Sequence, residues 1–470
     1  MSAAEAVAQD ALGLYHWEAV PKRLVINPAA PVPYRAWLSL PVVGHVDGAL
    51  ELPWAGNDVL DLGGATFRSL LDGSAGLDAD EIPLDVPAVI DGLGRVGEVR
   101  VTSRVNLLSA GVRTAAGLFS LNLDQRLDAI ASIGPTPVQG LYFGEGFVLD
   151  RGVEAAGIGY DATARISLAL GFQRAVENTP WRVGGALKLT RTQAHYRLLD
   201  IGTAVARDPD GGAVVTFNGR QQLAGWSDLF EGRDDGPELA PRRLFSGGNY
   251  GVGVDLGVHY APNERLALSA SVVDLGVQRL SDRVGEYGFV NDLRVGQSEP
   301  LAQRESVSLQ DGIDEAGDIS KDGRDSLTNR DPYSRPLPGA VYLGGEYRFR
   351  DDHSVGIVTR GTLRDGRLQS ATALSLNLRP SRFVEAHTSL SYSSVGGVGL
   401  GFGASLQLAV VQVYLGSDNV VALVNPLGGR RFSAVAGLNF LLPEKPDTRG
   451  LGTLRQRRKA GGKEPKCYRF

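Results

Sequence analysis

The chain has 470 residues, 43% of them hydrophobic and 21% charged, and its formal net charge is −5. So small a charge, with both signs interspersed, leaves no basic footprint for nucleic acid. One cysteine, Cys467, rules out an internal disulfide or a metal-thiolate cluster, and no run of about 18 apolar residues supplies a transmembrane helix.

Sixty-one glycines point towards β structure, because glycine is costly in helices and serves where backbones turn or crowd together. At the amino end, "MSAAEAVAQDALGLYHW" has neither the positive n-region nor the apolar h-region of a complete signal peptide. "AEAVAQD" nevertheless resembles the small-residue end of a cleavage site, so export is expected and residues 1–34 read as an exported leader or periplasmic segment. Within "VINPAAPVPY", Pro28, Pro31 and Pro33 lack an N–H and fix φ. This leader should therefore stay out of any ladder, cross beneath or inside the wall that the later strands build, and enter that wall only at about Arg35.

A first strand is expected near 35–43. Across 44–97, "NDVLDLGGATFRSLLDG" and "LDVPAVIDGLG" have helix-like apolar spacing between Asp and Gly punctuation, as does "DQRLDAIASIG" further on. Strands follow near 98–108, 113–123, 162–174 and 183–194. A weaker pair near 197–207 and 212–220 reads equally as a hairpin inside a loop. The remaining strands fall near 249–260, 264–277, 338–350, 353–363, 368–379, 382–393, 397–405, 407–416 and 431–441. "YGVGVDLGVHY" shows the rule, with Val252, Val254, Leu256, Val258 and Tyr260 on one face and Gly251, Gly253, Asp255, Gly257 and His259 on the other.

The contents of the two faces decide between a soluble sandwich and a membrane barrel. The polar faces are rich in Gly, Ser, Asn and Gln, while the apolar faces end in Tyr or Phe, which fits lipid outside, a polar lumen inside and aromatic residues at the interface. A sheet in hydrocarbon must close, since unpaired edge groups cost several kcal/mol each. The expected fold is all-β, a transmembrane antiparallel up-and-down barrel of about 14 to 16 strands. Short helical segments near the N-terminus are candidates to plug or cap the lumen, or to decorate its ends. The barrel spans 35–442, with the helical insertion at about 44–97. Its longest connections, about 221–248 and 278–337, fall on one side, expected to be extracellular. The basic tail 443–470 reads as a disordered periplasmic segment.

Six ionisable residues on polar faces are the candidate lumen lining: Asp255, His259, Glu346, Arg348, Glu385 and His387. Pairs such as Asp255 and His259, or Glu385 and His387, share a strand face by period two. No zinc spacing, G-x-S-x-G elbow or P-loop occurs, so no catalytic, cofactor-binding or metal residues are assigned. The acidic run Asp311–Asp331 fails the EF-hand template and reads as a solvated loop.

"VINPAAP", "VNLLSAGVR", "FSLNL" and above all "NYGVGVDLGVHYAPNERLALSASVVDLG" together resemble an uncharacterised outer-membrane barrel family of Bacteroidota and relatives, a domain of unknown function. More remotely, the chain is similar to barrels associated with type IX secretion and to the long-chain fatty-acid transporter family. The resemblance covers about residues 20–442 and is most specific at Asn249–Gly276. It implies an outer membrane of a Gram-negative bacterium and about fourteen strands, with no established activity to carry over. Two non-enzymatic readings stand: a transport or binding barrel for a small, hydrophobic molecule, and a scaffold or accessory barrel. Partners would be outer-membrane lipid, a small hydrophobic ligand, or periplasmic and secretion-machinery proteins.

Overall fold

The computed structural model describes residues 12–60, 84–154, 158–209, 212–225, 248–295, 324–350, 352–364, 367–381, 383–394 and 396–443. Its strands are β1 (Tyr34–Ser39), β2 (Val46–Glu51), β3 (Gly97–Arg113), β4 (Leu118–Ile133), β5 (Gly159–Ala175), β6 (Trp181–Arg207), β7 (Ala213–Gly225), β8 (Tyr250–Tyr260), β9 (Leu266–Leu280), β10 (Gly285–Val295), β11 (Arg324–Asn329), β12 (Tyr333–Pro336), β13 (Ala340–Arg350), β14 (His353–Arg364), β15 (Arg367–Ser381), β16 (Val384–Ser393), β17 (Gly397–Leu408), β18 (Val411–Ser417) and β19 (Arg431–Pro443). All pair antiparallel in one sheet, and the first meets the last, Leu38 opposite Phe440. Closure leaves no edge to be satisfied by water, as hydrocarbon requires.

Some wall strands are built of more than one segment. β1 and β2 both pair with β3 and β19 in the same direction, so they are one interrupted strand. β7 and β8 share β6 as neighbour, β9 runs on into β10, and β11 to β13 line up against β10 and β9. The wall therefore has 14 strands.

Outward side chains follow the alternation. Leu187, Val254 and Leu275 stand in one cross-strand row and Leu189, Val252 and Val277 in the next, all exposed on the outside. Aromatic residues bound this band, as they do in lipid-facing barrels. At the end where strands are joined by short turns, Phe119 lies 4.9 Å from Phe172 and Trp181 4.4 Å from Tyr260, with Phe349 and Phe383 nearby in the wall. At the other end Tyr160 stacks on Tyr196 at 4.5 Å, and Tyr250 and Tyr392 are exposed.

β6 has 27 residues, far more than the roughly 9–11 that cross a bilayer. Its second half, with β7, β10 and β11, projects beyond the tyrosine girdle as a four-stranded blade. Two helices, α3 (Pro135–Phe143) and α4 (Glu145–Arg151), lie at that end, as do α1 (Gly56–Val59), α2 (Val86–Leu93) and α5 (Val420–Val424). Val148 of α4 packs with Val153, Val215, Phe217 and Val295 to give the blade its own small core. At the blade's foot Asn249 staples two elements: its Oδ1 accepts from the N–H groups of Ser281 and Asp282, at 2.8 and 2.9 Å.

Three local readings change. "DQRLDAIASIG" is not a helix but the second half of β4, because pairing with β3 and β5 places Asp124, Arg126 and Asp128 inwards and Gln125, Leu127 and Ala129 outwards. β2 lies inside the stretch read as helical insertion. Parts of the expected connection 278–337 are strand, namely β10, β11 and β12. Residues 221–225 of the other long connection belong to β7, whereas 226–247 and 296–323, with them most of the acidic run Asp311–Asp331, and the tail beyond 443 lie outside the described residues.

Candidate functional site

The interior is occupied by the chain's own beginning. Residues 12–33 lie within the barrel as two turns of 3₁₀ helix, Leu12–His16 and Pro21–Val25, followed by the Asn27–Pro28–Ala29 corner. The wall starts only at Tyr34. Three prolines without N–H groups fit a segment that has no ladder to join. Asn27 closes the corner itself, its Oδ1 accepting from Ala29 N at 2.9 Å.

Inward glycines are the sockets for this plug. A side chain at Gly257 would strike Asn27 and Pro28, one at Gly356 would meet the His16 ring at 2.7 Å, and one at Gly403 would meet the Trp17 indole at 2.8 Å. Apolar plug residues Leu12, Tyr15, Trp17, Val20, Val25 and Ile26 form a buried cluster with Tyr342, Val358, Tyr414 and Val435 of the wall. Three cavities beside the plug, among the described residues, measure about 10 to 20 Å³ each, space for an ordered water apiece.

Ion pairs lock the plug in register. Lys22 is paired with Asp124 of β4, and Asn106 Nδ2 donates to the same carboxylate at 3.1 Å. The network continues across the lumen: Arg126 lies 3.0 Å from Asp274, Lys188 bridges Asp274 at 2.6 Å and Asp255 at 2.8 Å, and Arg165 lies 3.5 Å from Asp128. Towards the short-turn end, Glu18 receives Arg348 at 2.6 Å and Arg379 at 3.3 Å.

The six candidate residues divide between these networks. Asp255 belongs to the Lys188 cluster and accepts from Asp274 N at 2.7 Å. His259, Glu346 and Arg348 sit near one another at the plug, with Glu346 and His259 lining one small cavity beside Arg23. Glu385 accepts from Ala19 N at 3.1 Å and pairs with Arg379 at 3.2 Å, which Glu18 in turn links to Arg348. His387 has Nδ1 2.7 Å from Asn377 Oδ1 and lies under Trp17, ring centroids 6.1 Å apart.

Sequence reasoning did not find Lys22, Asp124, Arg126, Asp274 or Lys188, although charges at 124, 126 and 128 form a period-two signal. It also missed a buried chain in which His45 has Nδ1 2.6 Å from Tyr414 Oη and Nε2 2.7 Å from Asp47 Oδ2. Among the described residues no group of three or more His, Cys, Asp or Glu is arranged to hold a metal ion. With Lys22 paired to Asp124, Glu18 to Arg348 and Arg379, and Ala19 N held by Glu385, the arrangement can fasten a segment.

The family comparison bears on the whole barrel. A family of unknown function, DUF5723, has a model that matches residues 28–418. The chain belongs to DUF5723. The resemblance read around Asn249–Gly276 is thus borne out at the level of the family. No curated protein matches this DUF5723 chain. Among solved structures it is similar to the Ralstonia pickettii toluene transporter TbuX, at 10% identity and TM-score 0.44 over 89% of this chain and 93% of that one. It is similar also to a Pseudomonas aeruginosa FadL homologue, at 13% identity and TM-score 0.43 over 93% and 99%. A third is the translocator domain of the Neisseria meningitidis autotransporter NalP, at 8% identity and TM-score 0.33 over 89% and 92%.

Proposed function

We propose that this DUF5723 protein is a plugged, non-conducting barrel of a Gram-negative outer membrane that acts as a non-enzymatic anchor. Its work is done at its mouths rather than through its lumen. The observation that supports this is the burial of residues 12–33 within the wall, with three cavities beside them of about 10 to 20 Å³ each. Short turns and both wall termini belong on the periplasmic side, and the blade with its helices then stands on the cell surface as a platform for accessory or secretion partners.

A second reading, passage of a small molecule, is favoured by one feature. The slot beside Leu24, Val25 and Pro28 runs from Phe172 and Gln173 near the short-turn end to Asp124 and Lys188. Passage along it requires the plug to move, and the charged lining suits a polar solute better than a hydrophobic one.

Planar-bilayer recording separates the two. The intact protein should show no step conductance and the variant deleted for residues 12–33 a large, steady one. Conductance or solute uptake by the intact protein would overturn the anchor reading, whereas its purification from native membrane with surface or periplasmic proteins would support it.

A further inference from the structure

The outer surface carries a charged row at the foot of the blade. Arg191 of β6, Tyr250 of β8 and Arg279 of β9 are direct register partners, Arg191 opposite Tyr250 and Tyr250 opposite Arg279. All three point outwards. Their chain neighbours Thr190, Thr192 and Gln278 are buried in the interior, and Tyr250 is 57% exposed. Directly beneath them lie the apolar rows Leu189, Val252, Val277 and Leu187, Val254, Leu275.

The Arg–Tyr–Arg row thus tops the hydrocarbon belt at the height where headgroups begin. Strand spacing puts the two arginine backbones about 10 Å apart, with the tyrosine ring between them. Asp282 lies near Arg191 and offsets part of its charge. Guanidinium forks match phosphate oxygens in geometry and sign, and tyrosine is at home in the interface.

We infer that Arg191 and Arg279, flanking Tyr250 on the lipid side, bind the phosphate groups of an outer-leaflet glycolipid. The acyl chains would lie along the Leu–Val rows below while the phosphates bridge the two forks. The inference rests on the outer-membrane placement proposed above. It is read from lipid retention, so its failure is distinct from any result on conductance or partner capture.

The test uses the full chain folded in detergent, incubated with bisphosphorylated lipid A or with its dephosphorylated form, and native mass spectrometry. Retention of the phosphorylated form only is expected. The double variant R191Q/R279Q should lose it roughly tenfold and R279Q alone by about threefold, each with the heat-shifted gel mobility of a folded barrel. R174Q, at the opposite end of the wall, should retain it fully. Equal retention of both lipids by the parent protein, or undiminished retention by folded R279Q, would overturn the site.

Discussion

Single residues decide whether the plug seats. Gly257 faces the Asn27–Pro28–Ala29 corner with no room for a Cβ, so Gly257→Val should expel the plug. The expected signs are a step conductance in bilayers and tryptic cleavage after Lys22 or Arg23. Gly146→Val, into open space on α4, should produce neither. The Lys22–Asp124 pair carries a different penalty. Asp124→Asn leaves a buried ammonium beside Arg104 and Arg126 with its carboxylate gone, which should cost about 3 kcal/mol in urea unfolding from lipid vesicles. Unchanged stability would mean that the plug is not held by this pair. These contacts were legible only in part. The glycines of "YGVGVDLGVHY" announced an inward face, but lone glycines say nothing about which backbone they admit.

At the scale of elements, the first wall strand shows how a defect is managed. Leu40–His45 bulge out between β1 and β2 where β19 supplies only Gly437 and Leu438. The bulge keeps the wall shut, since Val42 N donates to Asn106 O at 2.7 Å and Leu438 N to Val43 O at 2.8 Å. It also turns His45 inwards to Tyr414 and Asp47. Val42 and Val43 are each 55% exposed and so should face acyl chains. A spin label at Val42→Cys, in a Cys467→Ser background, should be relaxed by oxygen and shielded from a water-soluble nickel chelate; the reverse pattern would place the bulge in water. β4 teaches the limit of local reading. Leu127 and Ile130 suggest a helix in isolation, and only pairing with the two flanking strands, the preceding β3 and the following β5, makes the charged inner face of "DQRLDA" sensible.

For the whole molecule, orientation is the testable property. If the blade is the exposed platform, an epitope inserted in the turn between β6 and β7 should be labelled by antibody on intact cells. One in the turn between β13 and β14 should be labelled only after the outer membrane is opened. Exchanged labelling would invert the barrel and remove the surface-platform reading. Strand number and topology were largely visible from the sequence, because hairpins counted in order give 14 to 16 strands, and the wall has 14. The blade was visible only as a doubtful hairpin, 197–207 with 212–220, whose partner strands β10 and β11 lay inside a presumed loop.

Period-two alternation, glycine content and the aromatic ends of the strands determined by themselves that this chain forms a membrane-spanning β-barrel, because lipid and lumen act on each residue locally and at every second position. The prolines of Asn27–Tyr34 allowed the leader to pass beneath or inside the barrel, but that it fills the lumen, and what it meets there, was decided by tertiary structure. Gly13 N reaches Asp418, Ala19 N reaches Glu385 and Ser271 Oγ reaches Ile26 O across sequence separations of 405, 366 and 245 residues. Such contacts exist only after the wall closes, and no spacing along the chain foretells them.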